Sequence, residues 1–172
     1  IKVMLKNFEN GYEVSGSNAI AAVEKNDCTV RAIANACGID YTQAHEFVAR
    51  TFKRKQGKGV KGFMGTMDKI VNTEIEFAQP HQLSIFTDGP TVKTIKAIGK
   101  SPKKGGALAN PQYKHKKVAY TVKSFAQTFG SGNFIVVVDK HALAINDGVV
   151  VDNSNYQHGG YRRPVEGAYQ VQ

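Results

Sequence analysis

Two stretches of this chain hold residue types able to carry out covalent chemistry. In Asn26-Asp27-Cys28-Thr29-Val30-Arg31-Ala32-Ile33-Ala34-Asn35-Ala36 a thiol opens a run of good helix formers. There it meets free backbone N–H groups and the positive end of the helix dipole, which favour thiolate over thiol. Far downstream, His141-Ala142-Leu143-Ala144-Ile145-Asn146-Asp147-Gly148-Val149-Val150-Val151-Asp152 supplies an imidazole and then a carboxylate. The chemistry open to such a set is attack on a carbonyl. The thiolate is the nucleophile, the imidazole moves the proton, and the carboxylate holds the ring.

Three elements must position these groups. The first is a buried helix from Cys28 to Cys37, which Gly38 is placed to stop. Cys28 and Cys37 are nine positions apart; at about 100° per residue they point to opposite sides of that helix. If Cys28 faces a cleft, Cys37 is a small core side chain that does not bridge to it. The second element is a strand at Phe134–Val138 that feeds into His141. The third is a hairpin after His141. A two-residue turn at Asn146-Asp147 or Asp147-Gly148 puts His141 and Asp152 on one face, because strand side chains alternate with period two. A three-residue turn flips the parity and brings up Asn153, whose carbonyl can also accept an imidazole N–H. Asp152 is the preferred orienter and Asn153 the alternate.

The rest of the chain reads as a mixed α/β or α+β order without internal repeats, and its 172 residues, 41% hydrophobic, suffice for one domain with a core. Residues 1–14 alternate around Glu9-Asn10-Gly11, so a hairpin flanking the site is expected. A second helix is expected over Tyr41–Phe52, capped by Asp40 or Thr42. Further expectations are a short helix at Met64–Val71, a strand at Thr73–Phe77, an amphipathic helix at Thr91–Ile98 and a helix at Thr121–Phe129. Residues 100–118, rich in Lys and Gly, read as a surface excursion. No apolar run approaches the roughly 20 residues of a membrane-spanning helix, and no signal-like apolar region follows the N-terminus.

The formal charge of +9 is unevenly distributed. Between Asp88 and Asp139 there is no acidic residue, while Lys93, Lys96, Lys100, Lys103, Lys104, Lys114, Lys116, Lys117 and Lys123 fall in that span. A second basic run is Lys53–Lys61. These segments suit an acidic protein or nucleic acid, and equally a solvated basic face. Gly57–Gly62 is not a phosphate-binding loop, since no Gly-Lys-Ser/Thr follows at the required spacing. Only two cysteines occur, both in one helix, which argues against a disulfide framework and fits a reducing, cytoplasmic setting.

A Cys at the start of the first long helix, then His on a strand, then Asp or Asn on the next, resembles the papain-like cysteine peptidase superfamily. Asn26–Ala32 and His141–Ile145 are similar to small, mostly uncharacterised papain-fold proteins of bacteriophages and bacteria. The likeness covers about residues 26–52 and 121–153. It implies an α+β, papain-like fold with an N-terminal Cys-bearing helix packed on a small antiparallel sheet. It further implies Cys28 as nucleophile, His141 as base and then acid, Asp152 as orienter, and a polypeptide substrate, with no cofactor. Papain-like enzymes usually place an oxyanion-donating Gln six positions before the nucleophile; here that position is Ala22. Asn26 is the substitute candidate, its amide acting beside the Cys28 N–H. A phage-borne protein of this kind sits in the host cytoplasm or in a virion.

Plainer readings stand beside these. Cys28 fits a small buried residue at a helix start. Asp27 fits a simple N-cap, and Arg31 a solvated first-turn residue or the ion-pair partner of Asp27. His45, His81, His115 and His158 have no companion at metal-ligand spacing, so no metal site is expected. The alternative to a thiol hydrolase is a non-catalytic binding or virion-associated structural module whose Lys-rich surface holds acidic protein or nucleic acid.

Overall fold

The computed structural model describes residues 4–6, 24–78, 91–103, 106–113, 118–152 and 160–172. The organising strand is β4 (Asn133–Val138), whose Phe134–Val138 run is buried throughout. A strand of this kind is covered on both faces, and its neighbours show how. Ile135 and Val137 join a core with Ala142, Ala144, Val151 and Tyr169 on one face. Phe134, Val136 and Val138 join Leu143, Ile145, Val150 and Ala168 on the other. The odd and even residues of β4 thus feed two separate cores, as period-two alternation requires.

Each core is closed by helices. α1 (Cys28–Cys37) contributes Val30, Ile33, Ala34 and Ala36 to the first, and α2 (Tyr41–Phe52) contributes Phe47 and Val48. α3 (Phe63–Ile70) adds Met67. The second core lies under α4 (Val122–Thr128) through Val122, Phe125 and Ala126. α1 stops where expected: Gly38 takes a left-handed φ of 64°, and the Gly38 and Ile39 N–H groups both return to the Ala34 carbonyl. α2 begins with a capping box between Asp40 and Gln43, so Asp40 and not Thr42 is its cap.

The sheet runs β1-β6-β5-β4-β7-β3-β2, with β1 at Met4–Lys6, β2 at Glu74–Phe77, β3 at Thr91–Lys100, β5 at His141–Asn146, β6 at Val149–Val151 and β7 at Gly167–Val171. Six strands pair antiparallel, and β1 joins β6 in parallel. The protein is therefore α+β with a Cys-bearing helix on an antiparallel sheet, as expected. The hairpin expected around Glu9-Asn10-Gly11 lies outside the described residues.

Thr91–Ile98 is a correction. It forms not an amphipathic helix but β3, paired with β2 on one side and β7 on the other. Its β-branched Thr91, Val92, Thr94, Ile95 and Ile98 favour the pleat. The pairing that decides the matter comes from β7, which the sequence reading did not foresee. The 100–118 segment is tied down within its described residues. Leu108 N–H reaches the Val165 carbonyl at 2.6 Å, and Asn110 N–H reaches the Val118 carbonyl at 2.9 Å.

Candidate active site

Cys28 is the first residue of α1 and half-buried, while Cys37 nine positions later is buried in the core. The position of Cys28 favours the thiolate: the first turn has no preceding carbonyls to occupy the N–H groups, so the helix end is partially positive. Burial by itself raises the Cys28 pKa. Hydrogen bonds with His141, the Ala142 N–H and the Thr29 side chain, together with the imidazolium charge, outweigh this and bring the pKa below its ordinary value. Cys37 has none of these partners; burial pushes its thiol up to about 12.

His141 opens β5, directly after the Asp139-Lys140 turn that joins it to β4 through the Val138–His141 pair. The β5–β6 hairpin turns on Asp147-Gly148, both left-handed at φ 48° and 76°. This is the geometry that matches strand twist and for which Asp-Gly is favoured. Pairing of Ala144 with Val151 and Asn146 with Val149 confirms the two-residue turn. The parity therefore places Asp152 beside His141. Its Oδ1 and Oδ2 lie 2.7 and 2.9 Å from His141 Nε2, which leaves Nδ1 as the ring nitrogen to serve the thiol. Both side chains are largely out of water, at 13% and 3% exposure. Burial lowers the imidazole pKa, but the bonds to Asp152 and Cys28 and their charges raise it to about 9. The two shifts run in opposite directions and favour a thiolate beside an imidazolium. Asn153, the alternate orienter, lies outside the described residues.

Asp27 is not the N-cap expected of it. Its backbone is at φ −108°, ψ 23°, and its side chain makes no cap hydrogen bond. The carboxylate instead accepts from the Tyr41 hydroxyl at 2.7 Å and pairs with Arg31 Nε at 2.9 Å. Arg31 is buried rather than solvated, with its guanidinium over the Tyr41 ring at 5.1 Å. Burial and the bond to Asp27 keep the Tyr41 phenol protonated far above its ordinary range. These three residues anchor the first turn of α1 to α2, and so fix the direction of Cys28.

Asn26 departs further from expectation. It sits at a left-handed φ of 51°, and its amide donates to the Gly57 carbonyl at 3.0 Å. It does not line the cleft, so the oxyanion role assigned to it is not supported. The amide serves instead to hold the loop after α2. Glu24 does the same work more strongly: its carboxylate accepts from His45 at 2.7 Å, the Gly57 N–H at 2.7 Å and Arg54 at 3.2 Å. Burial opposes its charge, but Arg54, His45 and the N–H groups of Gly57 and Lys25 bring its pKa down to about 2. His45 is thus occupied by its hydrogen bond to Glu24, and no cluster of metal-ligating side chains occurs among the described residues.

The loop so held becomes one wall of a cleft of about 620 Å³. Cys28, Thr29, His141 and Ala142 line it together with Gly59, Val60, Phe63 and Met64. Val137, Asp139, Lys140 and Glu166 complete the lining. Asp139 and Glu166 were not foreseen. The only sequence signal was that Asp139 ends the long stretch without acids; Glu166, at the mouth of an unanticipated strand, had none. Such a cleft can admit an extended chain to a thiolate backed by a proton carrier.

Comparison with protein-family models, with curated proteins and with solved structures found no match to this chain. No helix among the described residues is long and apolar enough to cross a membrane.

Proposed function

We propose that this protein is a papain-like thiol hydrolase that cleaves a peptide or isopeptide bond by a Cys28-His141-Asp152 mechanism. The observation that carries the reading is the Asp152–His141 hydrogen bond at 2.7 Å on the wall of the cleft that Cys28 also lines, with imidazole and thiol shifting each other's pKa toward the charged pair. The thiolate sulfur attacks the scissile carbonyl carbon, and the charge passes to its oxygen, near the free Cys28 N–H of the helix end. The imidazolium gives its proton to the departing amine, the C–N bond breaks, and a thioester remains. Neutral His141 then takes a proton from water, whose oxygen attacks the thioester. The acid leaves and the thiolate–imidazolium pair is restored. Asp152 holds the ring throughout.

The test compares the chain with Cys28→Ser and His141→Ala in hydrolysis of fluorogenic peptides and of an isopeptide-linked conjugate. Loss of turnover in both, with unchanged circular dichroism and unfolding midpoint, supports the reading. Turnover surviving in Cys28→Ser overturns it. The charge of +9, with Lys96 exposed on β3, favours a second reading as a binding module for acidic protein or nucleic acid. That reading requires affinity for a DNA or RNA duplex that falls steeply with salt.

A further inference from the structure

Glu166 lies half-buried in the lining of the cleft that also holds Cys28, and nothing in the proposed chemistry uses it. Among the described residues neither it nor Asp139, on the same lining, has a Lys, Arg or His at ion-pair distance. Arg163 reaches only the Asp139 backbone carbonyl, at 2.6 Å. Lys140 lines the cleft too, but it is exposed at the tip of the β4–β5 turn, where its stem can carry the ammonium to water. In a chain of charge +9, this cleft thus holds two carboxylates without an ion-pair partner among the described residues, Glu166 half-buried and Asp139 exposed.

A carboxylate partly withdrawn from water and left unpaired is costly, and more so once a substrate covers it. An apolar or acidic substrate residue deepens that cost, whereas a cation offsets it. The cleft also supplies what a long cationic side chain needs on the way in. A Cβ at Gly167 would lie 2.7 Å from Met64 Sδ, so the absence of a side chain at 167 lets Met64 lie against the strand next to Glu166. Met64 and Phe63 thus give the cleft apolar lining, with Met64 next to the residue that follows Glu166.

Resting on the hydrolase reading above, we propose that Glu166, assisted by Asp139, is a specificity residue that takes a lysine or arginine side chain of the polypeptide substrate, with the aliphatic stem along Met64. The raised pKa of Glu166, from burial and then from the Asp139 charge, agrees with a site lacking a resident cation.

The test needs no turnover. The full chain is reacted with three methanethiosulfonates, bearing a trimethylammonium, a neutral methyl and a sulfonate group, and the rate at Cys28 is read by mass spectrometry. Each charged reagent is taken relative to the neutral one. The cation-to-anion rate ratio should fall about threefold in Glu166→Gln or Asp139→Asn and about tenfold in the double variant, and rise in Lys140→Ala. An unchanged ratio in the double variant overturns the proposal. The hydrolase reading fails separately, through an ordinary alkylation profile at Cys28 that His141→Ala does not alter. A matched peptide panel then links the two: preference for Lys or Arg at one position should vanish in Glu166→Gln, and a preference that persists there overturns the assignment to Glu166.

Discussion

Replacing Asp152 by Asn is the sharpest probe of the buried line of groups. The carboxylate meets His141 Nε2 with both oxygens, at 2.7 and 2.9 Å, and the imidazole pKa stands at about 9 against an ordinary 6.5. The difference, 9 minus 6.5, is 2.5 pH units; at about 1.36 kcal/mol per unit, this is about 3 kcal/mol in favour of the imidazolium. Asn keeps one acceptor and removes the charge, and an opposite charge at this range accounts for about 1 to 3 units. The His141 midpoint should therefore fall by about 1 to 2 units in Asp152→Asn. The assay is NMR titration of histidine Cε1–H signals, with the His141 resonance assigned by its loss in His141→Gln. Iodoacetamide alkylation of Cys28 at pH 6, expected to be fast in the native chain, should slow about tenfold for each unit by which the thiol pKa recovers. The stability linkage has a definite sign. A raised His pKa contributes stability that is full below about 6.5 and is lost as pH rises through about 9. The lowered Cys28 pKa contributes in the opposite sense, present above its ordinary value and lost as pH falls through the lowered one. A His141 midpoint near 6.5 in the native chain, or one unmoved by Asp152→Asn, would refute the reasoning.

Other perturbations address the frame. Cys37, with its thiol held near pKa 12, should resist iodoacetamide at pH 8 while Cys28 reacts, as peptide mapping after a short exposure will show. Glu24→Ala strands the buried Arg54 guanidinium and should cost about 3–5 kcal/mol in urea unfolding. In the native chain Glu24 contributes stability that is present above about pH 4.5 and is lost as pH falls through about 2. Gly38→Ala forces a side chain into a left-handed position at φ 64° and should cost about 1–2 kcal/mol, read from the shift in the urea midpoint. Ile33→Ala, at a fully buried site between α1 and the sheet, should cost about 2–5 kcal/mol by the same measurement.

What could be read along the chain was whatever is set locally. The helix from Cys28 to Gly38 announced itself by its apolar spacing and its αL stop, and the Asp147-Gly148 turn by the left-handed freedom it needs. Once that turn is known, the alternation of strand side chains leaves Asp152 facing His141. What could not be read was whatever depends on partners distant in sequence. β7 carries no strong signal of its own, yet it lies between β4 and β3 inside the sheet, and its pairing helps turn Thr91–Lys100 into a strand. Asp27 looked like a cap because a cap is the local use of an Asp at a helix start; Tyr41, 14 residues on, and the buried Arg31 draw it elsewhere. Asn26 was assigned by its proximity to Cys28 in sequence, and a carbonyl 31 residues away claimed its amide. Glu166 came to the cleft only because β7 did. By itself, the sequence indicated the helix that starts at Cys28, the strand that leads to His141 and, for a two-residue turn, the parity that sets Asp152 beside His141, because helix starts and two-residue hairpins are short-range structures. Only the tertiary structure decided which polar groups remain free to meet a substrate, because a buried polar side chain takes the nearest partner in space and not in sequence.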